Sequence, residues 1–161
     1  MPVHLVFETR SKLVSATTIR LRAQRMLDAL QMKKAELSIV ITGDKQIHKL
    51  NKLYRKKDRP TDVLAFALRE GEFSELSSGA FGELLGDVII SLPTAARQAK
   101  ERDVAVLEET TMLLAHGLLH LLGWDHRNDA EDRAMRKETD RLVLAATRKR
   151  TNKDGKRLRQ T

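Results

Sequence analysis

Apolar and polar positions along the chain alternate between short strand-like runs and longer helical stripes. Val3 to Glu8 alternates weakly and is short enough for an edge strand. From Thr18 to Met32 the apolar positions Ile19, Ala23, Met26, Leu27 and Leu30 follow helical spacing, with Arg and Gln between them. Glu36 to Thr42 is apolar and β-branched, which predicts a strand. Gly43-Asp44 then reads as a turn into a helix that carries Ile47, Leu50 and Tyr54 on one face. Asp62 to Leu68 is the next strand candidate. A loop of about 15 residues follows, with Gly71, Ser77, Ser78, Gly79 and Gly82, a length that points to function or mobility. Gly86 to Ser91 is the best-defined strand, and Pro93 suits the first turn of a helix running to about Arg102.

Val104 to Leu122 is strongly helical and nearly apolar, as a central buried helix would be, and Gly123 fits its C′ position. Asn128 and Glu131 form a capping pair for a last amphipathic helix with Ala134, Met135, Leu142 and Ala145 on its apolar face. The order β-α-β-α-β-β-α-α-α predicts an α+β domain: a small mixed sheet with helices packed on it. Residues 1–147 are expected to form one domain, and residues 148–161 a disordered basic tail.

Composition narrows the class. No apolar run approaches the ~20 residues of a membrane span, and the N-terminal residues lack a signal-peptide pattern, so a soluble, cytoplasmic protein is expected. The chain has no cysteine, so disulfides and thiolate metal sites are excluded and any metal must be held by His, Asp or Glu. The net charge is +8 over 161 residues. From Arg148 onward there are seven basic residues and one acidic, so the tail supplies +6 and the body about +2. Such a tail is either a solvated end or a sequence-nonspecific phosphate-binding arm.

The chemistry concentrates in His116-Gly117-Leu118-Leu119-His120-Leu121-Leu122-Gly123-Trp124-Asp125-His126. Residues four apart share a helix face, so His116 and His120 can present two imidazoles to one ion. His126 lies past the helix end, where it can fold back as a third ligand. Three nitrogen ligands leave a tetrahedral ion one open position, the arrangement of catalytic rather than structural sites. One zinc ion is the expected cofactor, although imidazole ligands also suit nickel and copper. Two imidazoles buried on an apolar helix without partners would cost on the order of 1–3 kcal/mol each, which argues against simple packing. His4 and His48 fall outside the pattern. The spacing also matches the metzincin protease motif, except that Gly117 stands where the general-base Glu belongs, so a protease lacks its base.

The same eleven residues resemble the signature of the YbeY family, bacterial endoribonucleases of ribosomal RNA maturation, in which H-G-x-L-H-L-x-G-[YW]-D-H is characteristic. Tyr54 to Phe66 is similar to the family's Y-R-x-x-D-x-P-T-[DN]-V-L-S-F, with Ala65 in place of the usual Ser, and Leu85 to Ile90 is a third match. Ala67 also departs from the usual Pro. The resemblance spans roughly residues 1 to 147. It implies a zincin-like fold and a metal-dependent, single-strand-preferring endoribonuclease. The activity it implies is maturation of the 3′ end of small-subunit (16S) ribosomal RNA and ribosome quality control, with ribosomal RNA, the small subunit and assembly proteins as partners. It implies His116, His120 and His126 as metal ligands, His116 as part of the catalytic machinery, and Arg55 as the functional arginine.

From the residues alone, Arg55, Lys56, Lys57 and Arg59 are either a solvated helix end or a phosphate grip. Thr61 and Asp62 are expected to organise the turn after Pro60, with Asp62 orienting a neighbour. Asp87 is a turn residue or a support for the site. Asp125 is expected to cap its turn or orient an imidazole, and Trp124 to pack. An RNA-binding assembly factor with a structural metal, and a metalloprotease-like hydrolase, are the rival readings.

Overall fold

The computed structural model describes residues 3–9, 11–68 and 84–148. The long loop after the third strand and the basic tail lie outside them. The elements follow the expected order: β1 (Val3–Phe7), α1 (Ala16–Ala29), β2 (Glu36–Thr42), α2 (Asp44–Arg55), β3 (Val63–Ala67), β4 (Leu84–Ser91), α3 (Leu92–Arg102), α4 (Val106–Leu121) and α5 (Asp129–Thr147). The sheet order is β1-β2-β4-β3, with β1, β2 and β4 parallel and β3 antiparallel to β4. A mixed sheet with helices packed on it is the α+β architecture the pattern predicts, and among the described residues β3 is an edge strand.

Strand alternation assigns the two faces. Val88 and Ile90 of β4 join Leu37, Ile39 and Ile41 of β2 in the main core, which α1, α4 and α5 cover. The opposite face carries a small cluster of Ile47, Leu64 and Ile89, with Val40, Leu50 and Phe66 at its margin, under α2 alone. Gly86, at φ +134°, lies at the irregularity where β2 and β4 shift register. A Cβ there would come within 2.1 Å of the Phe66 carbonyl oxygen, so only glycine lets β3 close onto β4.

Helix ends follow local chemistry. Ser15 caps α1 by accepting from the Thr18 N–H, and Ser91 caps α3 ahead of Pro93. At α5, Asn128 accepts from the Glu131 N–H, while Glu131 reaches back to the N–H of Arg127, one residue before the cap. Two apolar faces need correction. Tyr54 is 63% exposed, with its ring edge-on to Phe66 of β3, and Asn51 takes the buried position instead. On α5, Ala134 is exposed and Ala145 only half-buried, whereas Thr139 and Ala146 are buried with Met135 and Leu142. Thr139 fits there because its hydroxyl donates to the Met135 carbonyl one turn back. α1 also stops short of Met32, since Gln31 turns left-handed at φ 59°.

Candidate metal centre and its groove

α4 is buried on almost every side. Leu113, Leu114, Ala115, Leu118, Leu119 and Leu121 are sealed, and its one half-open seam carries His116 and His120. The helix lies so close to the sheet that a Cβ at Gly117 would meet Val88 Cγ1 at 2.7 Å and Val63 Cγ2 at 3.1 Å. Both neighbours are stiff, β-branched side chains. The position therefore has no room for the glutamate of a metzincin, which removes the base a peptidase would need.

The end of α4 places the third histidine. Gly123, at φ +94°, donates its N–H to the His120 carbonyl, and Trp124 donates to Leu119. These paired bonds form a Schellman closure, which turns the chain back on the helix. Asp125 Oδ1 then accepts from the His126 N–H at 2.8 Å and holds the returning segment.

The ligating atoms of His116, His120 and His126 lie within 4.8 Å of one another. The Nε2 atoms of His116 and His120 are 3.0 Å apart. Two nitrogens at ~2.05 Å from a tetrahedral ion stand roughly 3.3 Å apart, so the donors fit one ion with little adjustment. Burial pushes both His116 and His120 below the ordinary imidazole range, and their histidine neighbours push the same way. Asp62 acts in the opposite direction on His116, and Asp125 on His120. The net effect favours the neutral imidazole, the form that binds metal.

A groove of about 550 Å³ opens beside this cluster along β3. Val63, Leu64, Ala65 and Ala67 contribute its strand wall. α2 and the turn after it bring Asn51, Arg55, Lys57, Arg59 and Thr61, and the end of α4 brings His120, Gly123, Trp124 and Asp125. Arg55 Nη2 donates to the Ala65 carbonyl at 2.5 Å, and its guanidinium lies 5.2 Å from the centre of the Phe66 ring. Tyr54 packs edge-on against the same ring at 5.4 Å. Arg55 is near enough to His120 to add to the depression of its pKa.

The turn carrying the basic residues is held from two sides. The buried Asn51 donates its side-chain amide to the Arg59 carbonyl at 2.9 Å, and His48 pairs with Asp58 at 2.7 Å. Lys56 sits exposed at the left-handed cap of α2 and is not among the groove-lining residues. Asp62 organises its turn as expected, accepting from the Val63 N–H at 2.7 Å and from Gln98 of α3 at 3.2 Å. Asp87 shares its strand face with Ile89, under α2 and opposite the histidine helix. Trp124, expected to pack, stands 36% exposed in the groove wall. Sequence reasoning missed Asn51 and Phe66. The signal for Asn51 was a polar residue one turn past Ile47, in the phase of the buried stripe.

The fold and the site define an α+β domain in which a cluster of three histidines meets a basic groove at His120. The family described as Endoribonuclease YbeY matches residues 6–147. A relative from Geobacter metallireducens, named Endoribonuclease YbeY, is 42% identical over 146 residues, covering 91% of this chain and 95% of that protein. Another of the same name, from Aquifex aeolicus, is 46% identical over 123 residues, covering 76% and 77%. The solution structure of a Thermotoga maritima protein shares the fold, with a TM-score of 0.62 at 21% identity over 89% of this chain and 88% of that one. The chain belongs to the endoribonuclease YbeY family.

Proposed function

We propose that this protein is a metal-dependent endoribonuclease that cuts single-stranded segments of ribosomal RNA in the cytoplasm. Its role would be maturation of the 3′ end of small-subunit RNA and ribosome quality control. The observation that carries the reading is the three-histidine cluster, one member of which, His120, lines a groove shared with Arg55, Lys57 and Arg59. Family membership supports the endoribonuclease activity. His116, His120 and His126 would hold the ion, zinc in the first instance. The chemistry a transition-metal ion supplies in a three-nitrogen site is Lewis-acid polarisation and a more acidic water.

The protein's own groups do the rest. Phe66 and the Ala65 carbonyl hold the Arg55 guanidinium at the groove. From there it can grip a phosphoryl oxygen and stabilise the charge that builds up during cleavage. Lys57 and Arg59 neutralise flanking phosphates, which makes binding salt-dependent. Asp62 and Asp125 supply negative charge behind the imidazoles and fix the turns that carry Val63 and His126.

The test is cleavage of precursor small-subunit RNA by wild type and His116→Ala, prepared identically, with and without a chelator. Cutting should disappear with either change. Equal cutting by both preparations would overturn the reading and favour an RNA-binding assembly factor. The product ends then identify the nucleophile: 2′,3′-cyclic phosphate for the neighbouring 2′-hydroxyl, 3′-hydroxyl for water.

A further inference from the structure

Trp124 is the chain's one tryptophan. Leu118, Leu119 and Leu121, just before it, are sealed in the main core, yet among the described residues Trp124 joins neither apolar cluster. It stands in the groove wall next to His120, 36% exposed. About a third of the Trp124 surface stays open in the groove, where a flat ligand can reach the ring.

Its placement is fixed by the backbone. The Trp124 N–H is bonded to the Leu119 carbonyl at 3.0 Å, and Gly123 takes the left-handed turn before it. The indole is therefore carried by the same closure that returns His126 to the centre. A ring anchored this way has little backbone freedom to lose when a ligand arrives. Across the groove stand Arg55, Lys57 and Arg59. A cationic track facing an exposed aromatic ring is the combination that holds single-stranded nucleic acid without reading its sequence.

We propose that Trp124 is a stacking platform for one unpaired nucleobase beside the metal centre, and that it makes the groove select single strands. The inference rests on the endoribonuclease reading and adds a specificity-determining residue to it. Inside a duplex both faces of a base are covered by its neighbours, so a base reaches the indole only from an unstacked strand. Stacking uses the face of the base, so it rewards an unpaired base of any identity, purines more than pyrimidines for their larger area.

Because Trp124 is the one tryptophan, its intrinsic fluorescence reports this position alone. The experiment titrates the full chain with a short 2′-O-methyl, phosphorothioate-linked single strand that resists cleavage, and with an abasic strand of the same length. Indole emission and, separately, the anisotropy of end-labelled strand are read. The base-bearing strand should quench the emission as it binds, and the abasic strand should bind more weakly without quenching. Trp124→Ala should weaken the base-bearing strand roughly 5- to 100-fold and leave the abasic strand unchanged. Trp124→Phe should recover most of the affinity, which separates a stacking role from a folding defect. Binding without any change in emission, at equal affinity for wild type and Trp124→Ala, would overturn the platform and leave the RNA reading standing. No binding of either strand would overturn both.

Discussion

The two faces of the sheet are built to different standards. On one, α1, α4 and α5 seal a continuous core that runs from Val3 through Ile39 and Val88 to Leu118 and Ala146. On the other, α2 rests on a cluster of only Ile47, Leu64 and Ile89. The histidines belong to the thick side, His116 and His120 on the buried helix α4 and His126 on the turn just after it. The cationic wall of the groove belongs to the thin side, carried on a short helix and a turn tied down by single polar contacts. Stability is therefore concentrated beneath the histidine cluster, and adjustability along the cationic wall of the groove.

The largest expected effect lies on the thick side. Leu118 is fully buried among the core residues of α4. Leu118→Ala should cost about 2–5 kcal/mol in denaturant unfolding. Its cleavage rate per folded molecule should stay near wild type. A loss of activity larger than the loss of folded protein would break the division between the two faces.

A smaller effect on stability, with a larger one on function, is expected on the thin side. Asn51→Ala removes the donor that holds the Arg59 carbonyl. It should cost roughly 1 kcal/mol and speed amide exchange in residues 56–62, while RNA affinity falls. Unchanged affinity with faster exchange would show that the turn need not be held for binding.

The smallest effect concerns how the thin side is fastened. Asp44, in the first turn of α2, accepts from Ser91 and Thr94 at the start of α3 and pairs with Arg97 at 2.8 Å. Burial alone would raise its pKa, but these hydrogen bonds and the Arg97 charge together outweigh burial and hold the carboxyl below its ordinary value. A lowered folded pKa means a contribution present above the unfolded value of about 3.9 and lost as pH falls through the folded one. The stability gap between wild type and Asp44→Asn should thus be steady near neutrality and shrink below about pH 4. Denaturant midpoints measured from pH 7 to pH 3 check this, and a gap independent of pH would break it.

What the sequence made legible follows from locality. β2 is predicted at Glu36–Thr42 and found there, and Pro93 lies in the first turn of α3 as expected. The histidine cluster was readable because helix periodicity and one glycine turn bring its members together. The groove was not, because it joins the end of α2, the edge of β3 and the end of α4, and their proximity depends on β4 lying between β2 and β3. Tyr54 and Ala134 were placed on buried faces by phase alone. Phase does not reveal which side chains of a turn the tertiary contacts cover, and here Asn51 is covered while Tyr54 stays exposed beside the Phe66 ring.

The three histidines fall within eleven consecutive residues. An ion held by them would cross-link only a short loop, most of it already fixed by α4 and its closing turn. The chain-entropy gain from clipping so short and preordered a segment is small. This separates the protein from domains that fold around their metal, where ligands from distant parts of the chain make ion and fold inseparable. An ion held at this cluster would be free to leave, exchange or be replaced while the scaffold persists, so metal supply would set whether the protein works and not whether it exists.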